Sequence, residues 1–308
     1  MTTPSTPVAS PLSAPVAGHS GDTRPLVIFS HGNSFPASTY RVLFDSLEKR
    51  GFQVRAIEKF GHDLAYPVTS NWPHLVQQLA DFTAREVAST GTAAFLVGHS
   101  LGGFLSLMCA ARHPELGGQA VRGVLMLDSP LIGGWRAAAL SVAKRAQLVG
   151  TVSPGAVSQR RRNEWLGRDE VFDYFRSKKA FAAWDEQVLR DYIEHGTHDA
   201  DSPARQRLLS FDRDVETTIY NTLPHNLEGM LRRHPLKCPV AFIGGRQSSE
   251  MRQVGMTLTT RVTQGRLMML DGSHLFPMER PVTTAAAVEA ALLNLAAPRP
   301  ANPVVTKA

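Results

Sequence analysis

Two cysteines, Cys109 and Cys238, are all that 308 residues contain. They are too few to staple a chain of this size, so stability has to come from a buried core, and both thiols are expected to stay reduced. No stretch approaches the roughly 18 uninterrupted apolar residues of a membrane-spanning helix. The N-terminus also lacks the basic-then-apolar order of a secretion signal. Nothing marks the chain for membrane or export, and a cytoplasmic location is expected. The net charge of +6 is largely scattered, and the runs Arg160-Arg161-Arg162 and Lys178-Lys179 stand out. Neither is interleaved with aromatics that would stack on bases, so they read as solvated helix faces and no nucleic-acid partner is expected. No internal repeat occurs.

What is present is enough apolar material, 43% of residues, for one sizeable core with room for an insertion. Residues 1–24 are rich in Pro, Ser, Thr and Ala, with too little apolar surface to offset ordering entropy, and are expected to form a disordered arm. Residues 298–308 are expected to be a flexible tail. Between them six short apolar runs recur: "PLVIFS" (25–30), "FQVRAI" (52–57), "AAFLVG" (93–98), "VRGVLMLD" (121–128), "PVAFIG" (239–244) and "RLMMLD" (266–271). Near-continuous apolar strands are what a sheet covered on both faces requires.

Amphipathic stretches separate the runs. Tyr40, Leu43, Phe44 and Leu47 share one face, with Ser38 as a cap and Gly51 as a stop. Val76, Leu79, Ala80, Thr83 and Val87 repeat the spacing, and a last helix opens at Pro281 and carries Val288, Leu292 and Leu295. Alternating strands and helices predict an α/β fold with a mostly parallel sheet of about six strands and helices on both faces. The alternation fails between Leu131 and Lys237, where aromatic-rich segments read as helices. Residues 25–130 and 237–297 therefore form the predicted core, and 131–236 a helical cap.

Ser100 stands where the third strand ends and the helix "LGGFLSLMCAARH" begins, between Gly98 and Gly102. A sharp turn there would hold the hydroxyl above the sheet, and small flanking residues would let strand and helix approach. The helix N-terminus would make the Leu101 amide an oxyanion donor. A second donor is expected in "HGNSF" (31–35), from the amide of Asn33 or, as the alternative, Ser34. A serine hydroxyl needs a base. Of the eleven histidines, His274 lies in "DGSHLFPMERP", after the last strand and at the sheet edge that carries Ser100. His99 is read as a packing or loop-bonding neighbour. His31, Ser34, His99 and Trp135 are weaker candidates for substrate contact, with His62 and His225 also able to reach the cleft.

In this order, "HG" after the first buried strand, "GHSLGG" at the elbow, an insertion after the fourth strand here, the sixth in the family's count, and a late His before "ERP", the chain resembles the α/β-hydrolase fold family, on its lidded serine-esterase branch. The resemblance implies Ser100 as nucleophile, His274 as base, Leu101 and Asn33 as oxyanion hole, and neither metal nor cofactor. It also implies two further strands at the N-terminus, which residues 1–24 are unable to supply. The family's late histidine usually follows glycine; Ser273 precedes it here, with little consequence expected. The acid, usually three residues after the glycine ending the fifth strand of this chain, meets Gln247 or Ser248 instead. Asp128, at the end of the fourth strand, is preferred, and Glu250 is the alternative.

The activity implied is hydrolysis of a small carboxylic ester with an apolar acyl or alcohol part. Haloalkane dehalogenases and epoxide hydrolases of this fold use aspartate at the elbow, and Ser100 argues against both. The same machinery would also serve a thioester, a lactone or a carbon–carbon bond, and a noncatalytic binder on this fold is a further alternative.

Overall fold

Four of the six apolar runs become strands without an exposed residue, in a computed structural model that describes residues 22–134, 155–201 and 206–297. The core begins with β1 (Leu26–Ser30), α1 (Arg41–Lys49), β2 (Gln53–Ala56), α2 (Pro73–Thr90), β3 (Ala94–His99), α3 (Leu101–Arg112) and β4 (Gly123–Leu127). The segment expected to form the cap, inserted after β4, follows with α4 (Gly155–Gln159), α5 (Arg168–Arg176), α6 (Glu186–Gly196), α7 (Arg213–Asn221) and α8 (Leu227–Arg233). The core resumes with β5 (Val240–Gly245), α9 (Ser249–Val254), α10 (Thr257–Thr263), β6 (Leu267–Leu270), α11 (Phe276–Glu279) and α12 (Pro281–Ala296).

The six strands form one parallel sheet in the order β6-β5-β4-β3-β1-β2. β1, β3, β4 and β5 are buried along their whole length. The edge strands are not: Arg55 on β2 and Leu267 on β6 face solvent. Period-2 alternation divides the core in two. Leu26, Ile28, Leu96, Val124 and Met126 pack on one face with α2 and α3, whose Leu79 and Leu105 are fully buried. Val27, Phe29, Phe95, Val97 and Leu125 pack on the other with Leu43 and Leu47 of α1 and Val288 and Leu292 of α12. No described helix is long and apolar enough to cross a membrane. Cys109 is buried on α3 and Cys238 half-buried before β5, both free thiols.

Three expectations need correction. Ser38 does not cap α1. It lies in a 3-10 turn, Ala37–Tyr40, that leads into the helix, and its hydroxyl donates to Glu58. Residues 22–24 do not belong to an arm, because the Gln53 side-chain amide donates to the carbonyls of Asp22 and Arg24 and ties them to β2; residues 1–21 and 298–308 lie outside the described residues. The cap is not purely helical. Glu164–Trp165, Arg207–Leu209 and Thr197–Asp199 pair as a small antiparallel sheet, with strands too short to show a period in sequence. Arg207, buried beneath it, donates to the carbonyls of Ile193 and Thr197 and so closes the end of α6.

The β3–α3 crossing positions the site and depends on missing side chains. A Cβ at Gly98 would sit 2.1 Å from the Gly102 carbonyl carbon, and one at Gly102 would sit 1.9 Å from the Ser30 carbonyl oxygen. Backbone stands on both sides of each contact and no rotamer relieves it. Gly102→Ala is therefore expected to destabilise the protein by about 3 kcal/mol, read as a fall in Tm of roughly 6 to 12 °C in a thermal melt; an unchanged Tm would mean that the strand and helix separate freely.

Candidate active site

Ser100 is the residue before α3, at φ 52° and ψ −114°, a conformation that side chains with a Cβ rarely adopt. Neighbouring strands hold it there. Its N–H donates to the Leu127 carbonyl (2.9 Å), and its own carbonyl accepts from the Ser129 hydroxyl (2.8 Å). His274, on the loop between β6 and α11, brings Nε2 to 3.0 Å from Ser100 Oγ. The other ring nitrogen, Nδ1, lies 2.6 Å from Oδ2 of Asp128.

Asp128 follows β4 at φ 45° with its carboxylate fully buried. Such a charge needs donors, and three converge on it: the Gly245 N–H on Oδ1 (2.8 Å), and on Oδ2 the Ser248 hydroxyl (2.6 Å) and His274. Glu250, on α9, stands 3.8 Å from the same nitrogen and is 42% exposed, too far for a hydrogen bond. Ser248, at the position where the resemblance puts the acid, supplies a neutral donor to the carboxylate from β4.

Burial works against charge on the His274 ring, yet the hydrogen bond and charge of Asp128, with Glu250 and Glu279 behind it, outweigh burial and hold its pKa above the ordinary histidine value. Burial also disfavours charge on Glu250, but His274 and the Ser249 and Ser248 hydroxyls prevail and keep it ionised below the usual carboxylate range. Asp128, Glu250 and His274 offer donor atoms within 4.8 Å of one another, the geometry of a cation site. Nδ1 is engaged with Asp128, so a metal ion there would have to displace that contact.

The loop after β1 completes the site. Among the described residues the main-chain N–H groups of Asn33 and Leu101 donate no hydrogen bond, which leaves both open to an incoming oxygen. Side-chain bonds fix the loop instead: Asn33 Nδ2 donates to the Glu216 carbonyl (3.1 Å), and Ser34 Oγ to the Glu216 carboxylate (2.5 Å), both on cap helix α7. Arg161 completes a buried pair with Glu216 at 3.0 Å.

Ser100 and His274 open onto a cavity of about 310 Å³, walled by Phe35, Ala180, Tyr220 and Leu275 and by the more polar Gln247 and Glu250. Among the weaker candidates in the described residues only His99 reaches it, and both its ring nitrogens are engaged: Nδ1 with Tyr40 Oη (2.7 Å), Nε2 with the His274 carbonyl (2.9 Å). His31 is corrected to a loop-bonding residue. It is fully buried, with Nδ1 2.8 Å from the Gly32 carbonyl and Nε2 accepting from the Phe60 N–H. Burial pushes its pKa down to about 4 and that of His99 to about 3, so both rings stay neutral near pH 7. The Ser34 hydroxyl is taken by Glu216, and His62 binds the Phe60 carbonyl and the Asp212 N–H. Trp135 lies outside the described residues. Of the cap aromatics, Phe175, Phe181, Trp184 and Tyr192 stack on one another as the cap's own core, while Tyr220 faces the cavity.

Sequence reasoning missed four residues. Ser273 was expected to matter little, but its N–H and hydroxyl both donate to Glu279 and clamp the His274 loop onto α11. Ser248 was read only as an acid that is missing. Glu216 meets Ser34 across 182 positions, and Tyr40 meets His99 across 59; no local pattern signals either contact. Tyr40 accepts the Gly32 N–H (2.9 Å) and pairs with His99, which in turn reaches the His274 carbonyl, so one buried chain joins the β1 loop, the elbow and the histidine loop.

Two outcomes follow from these contacts. Tyr40→Phe leaves the Gly32 amide and a His99 nitrogen without their partner and is expected to lower unfolding free energy by about 2 kcal/mol in urea titration; no loss would show that water replaces the hydroxyl. Glu250→Gln removes one of the charges that favour the imidazolium, so the NMR titration midpoint of His274 should fall, while an unmoved midpoint would deny the coupling across 3.8 Å.

The sequence model of the Alpha/beta hydrolase family matches residues 27–287. A search of curated protein sequences finds no match. Among solved structures the chain is similar to E-2-(acetamidomethylene)succinate hydrolase, with 23% identity, TM-score 0.63, and coverage of 86% of this chain and 90% of that one. It is similar to the thioesterase domain from the curacin biosynthetic pathway, with 17% identity, TM-score 0.64, and coverage of 87% and 92%. It is also similar to an esterase of M. tuberculosis, with 20% identity, TM-score 0.60, and coverage of 88% and 86%. At these identities the structures share the fold, while the family match spans the sheet, the elbow and the histidine loop. This chain belongs to the alpha/beta hydrolase family.

Proposed function

We propose that the protein is a serine hydrolase that cleaves small carboxylic esters through an acyl-enzyme. The observation that carries the reading is the continuous chain Ser100 Oγ–His274 Nε2 (3.0 Å) and His274 Nδ1–Asp128 Oδ2 (2.6 Å). In this reading His274, neutral, takes the Ser100 proton as the oxygen attacks the carbonyl carbon. Negative charge then develops on the former carbonyl oxygen, where the Leu101 and Asn33 amides and the positive end of α3 stabilise it. Asp128 holds the tautomer and offsets the imidazolium. The C–O bond breaks as His274 returns the proton to the leaving alcohol. Water, deprotonated by the same ring, attacks the acyl-enzyme, and the acid departs with Ser100 reprotonated.

The cavity volume supports a short or medium acyl group against Phe35, Tyr220 and Leu275. A serine at the elbow favours this chemistry over reactions that need a carboxylate nucleophile. Thioesters and lactones are cleaved by the same sequence of steps, a β-diketone by the same attack with a C–C bond broken and the proton returned to the enolate that leaves, and a panel of p-nitrophenyl esters, acyl-CoAs and ring-cleavage products ranks them.

A fluorophosphonate probe is expected to label the folded protein and to fail on Ser100→Ala; absence of labelling in the unmodified protein would overturn the reading in favour of a binding role. Asp128→Asn should lower kcat about a thousandfold or more, and Glu250→Gln far less. Because the base works only when neutral and its pKa is raised, activity falls as pH drops through that pKa. In Glu250→Gln the acid limb of kcat/KM should move to lower pH, and the opposite ranking of the two variants would make Glu250 the acid.

A further inference from the structure

The cavity around Ser100 does not end at Gln247. It shares Ala180, Gln247 and Ser273 with a cleft of about 870 Å³ between the cap and the α11–α12 corner. Two cations wall that cleft: Lys179, from the cap segment before α6, and Arg280, between α11 and α12. Both are exposed, and among the described residues neither side chain makes an ion pair or hydrogen bond. Arg252 adds a third positive charge behind the wall, where its guanidinium donates to the Gln247 carbonyl (3.2 Å).

The carboxylate in the same cleft forms no ion pair with either cation. Glu279 turns toward Ser273, whose N–H and hydroxyl occupy one oxygen each. At the junction Glu250 accepts from the Ser248 and Ser249 hydroxyls and stands 3.8 Å from His274 Nδ1, with no contact to either cation. Lys179 and Arg280 thus face a concave surface without a partner, beside a reactive centre, where field lines concentrate and a bound anion gains most.

We propose that this cleft is an anion subsite, and that the hydrolysed substrate carries a carboxylate or phosphate on the part that extends past Gln247 toward Lys179 and Arg280. The inference rests on the esterase reading of Ser100 and names the substrate class within it. It divides the substrate into an apolar segment, held by Phe35 and Leu275 beside the nucleophile, and a charged end outside.

Three substrates separate the possible sources of charge: p-nitrophenyl butyrate (neutral), p-nitrophenyl hemiglutarate (a carboxylate on the acyl part) and butyryl-CoA (phosphates on the leaving group). For one of the two anionic substrates, kcat/KM in the unmodified protein is expected to fall at least tenfold between 20 and 500 mM salt, roughly the range over which screening of exposed charges becomes strong, more steeply than for the neutral ester. In Lys179→Gln/Arg280→Gln its ratio to the neutral ester should fall at least tenfold, mainly through KM, and whichever anionic substrate responds identifies the side that carries the charge. An unchanged ratio for both would overturn the subsite. If none of the three is turned over, the esterase reading fails by itself. Calorimetry of coenzyme A and of glutarate on Ser100→Ala then decides the subsite: binding of either that is lost on adding the double substitution supports it, and binding of neither overturns it.

Discussion

A single buried carboxylate organises the reactive edge of this sheet. Asp128 has no solvent to satisfy it, so its oxygens draw in the end of β5 through Gly245, the cap of α9 through Ser248, and the histidine loop through His274. The donors come from three chain segments, and the charge fixes their mutual distances. Its left-handed backbone, like that of Ser100, is strained for a residue with a Cβ and is held by strand contacts: the Asp128 N–H reaches the Ile243 carbonyl, and the Ser100 N–H the Leu127 carbonyl. Sheet hydrogen bonding thus sustains two unfavourable conformations at the place where chemistry is proposed.

Around that centre the loops are tied to one another as well as to the sheet. Tyr40 and His99 form a buried polar chain from Gly32 to the His274 carbonyl, and burial keeps the histidine neutral, so the chain carries no competing charge. Ser273 and Glu279 secure the other side of the histidine loop. The result is an imidazole whose ring has little freedom to turn, which the proposed proton transfer requires.

Much of this was legible in the chain. The six apolar runs gave the strands to within a residue or two, because burial on both faces leaves an unbroken hydrophobic record. The strand–turn–helix around Ser100 and the late position of His274 are local signals, and the structure brings Ser100, His274 and Asp128 together. The two- and three-residue strands of the cap left no record because they span barely one repeat of their two-residue period. Tyr40, Glu216 and Ser248 owe their places to contacts set by the tertiary fold, so their neighbours in sequence carry no trace of them. The separation of Asp128 from Glu250 is a matter of about an ångström, 2.6 against 3.8 Å, which no pattern of residues resolves.

Glu216 also sets how access and reactivity are linked. Its main-chain oxygen holds the Asn33 side chain and its carboxylate holds Ser34, from a helix that belongs to the cap. A cap that swung outward would either drag the β1 loop with it or abandon a buried acid paired only with Arg161. Opening of that segment is thereby yoked to the β1 loop: it either moves Asn33 or gives up the two contacts that fix the loop in place.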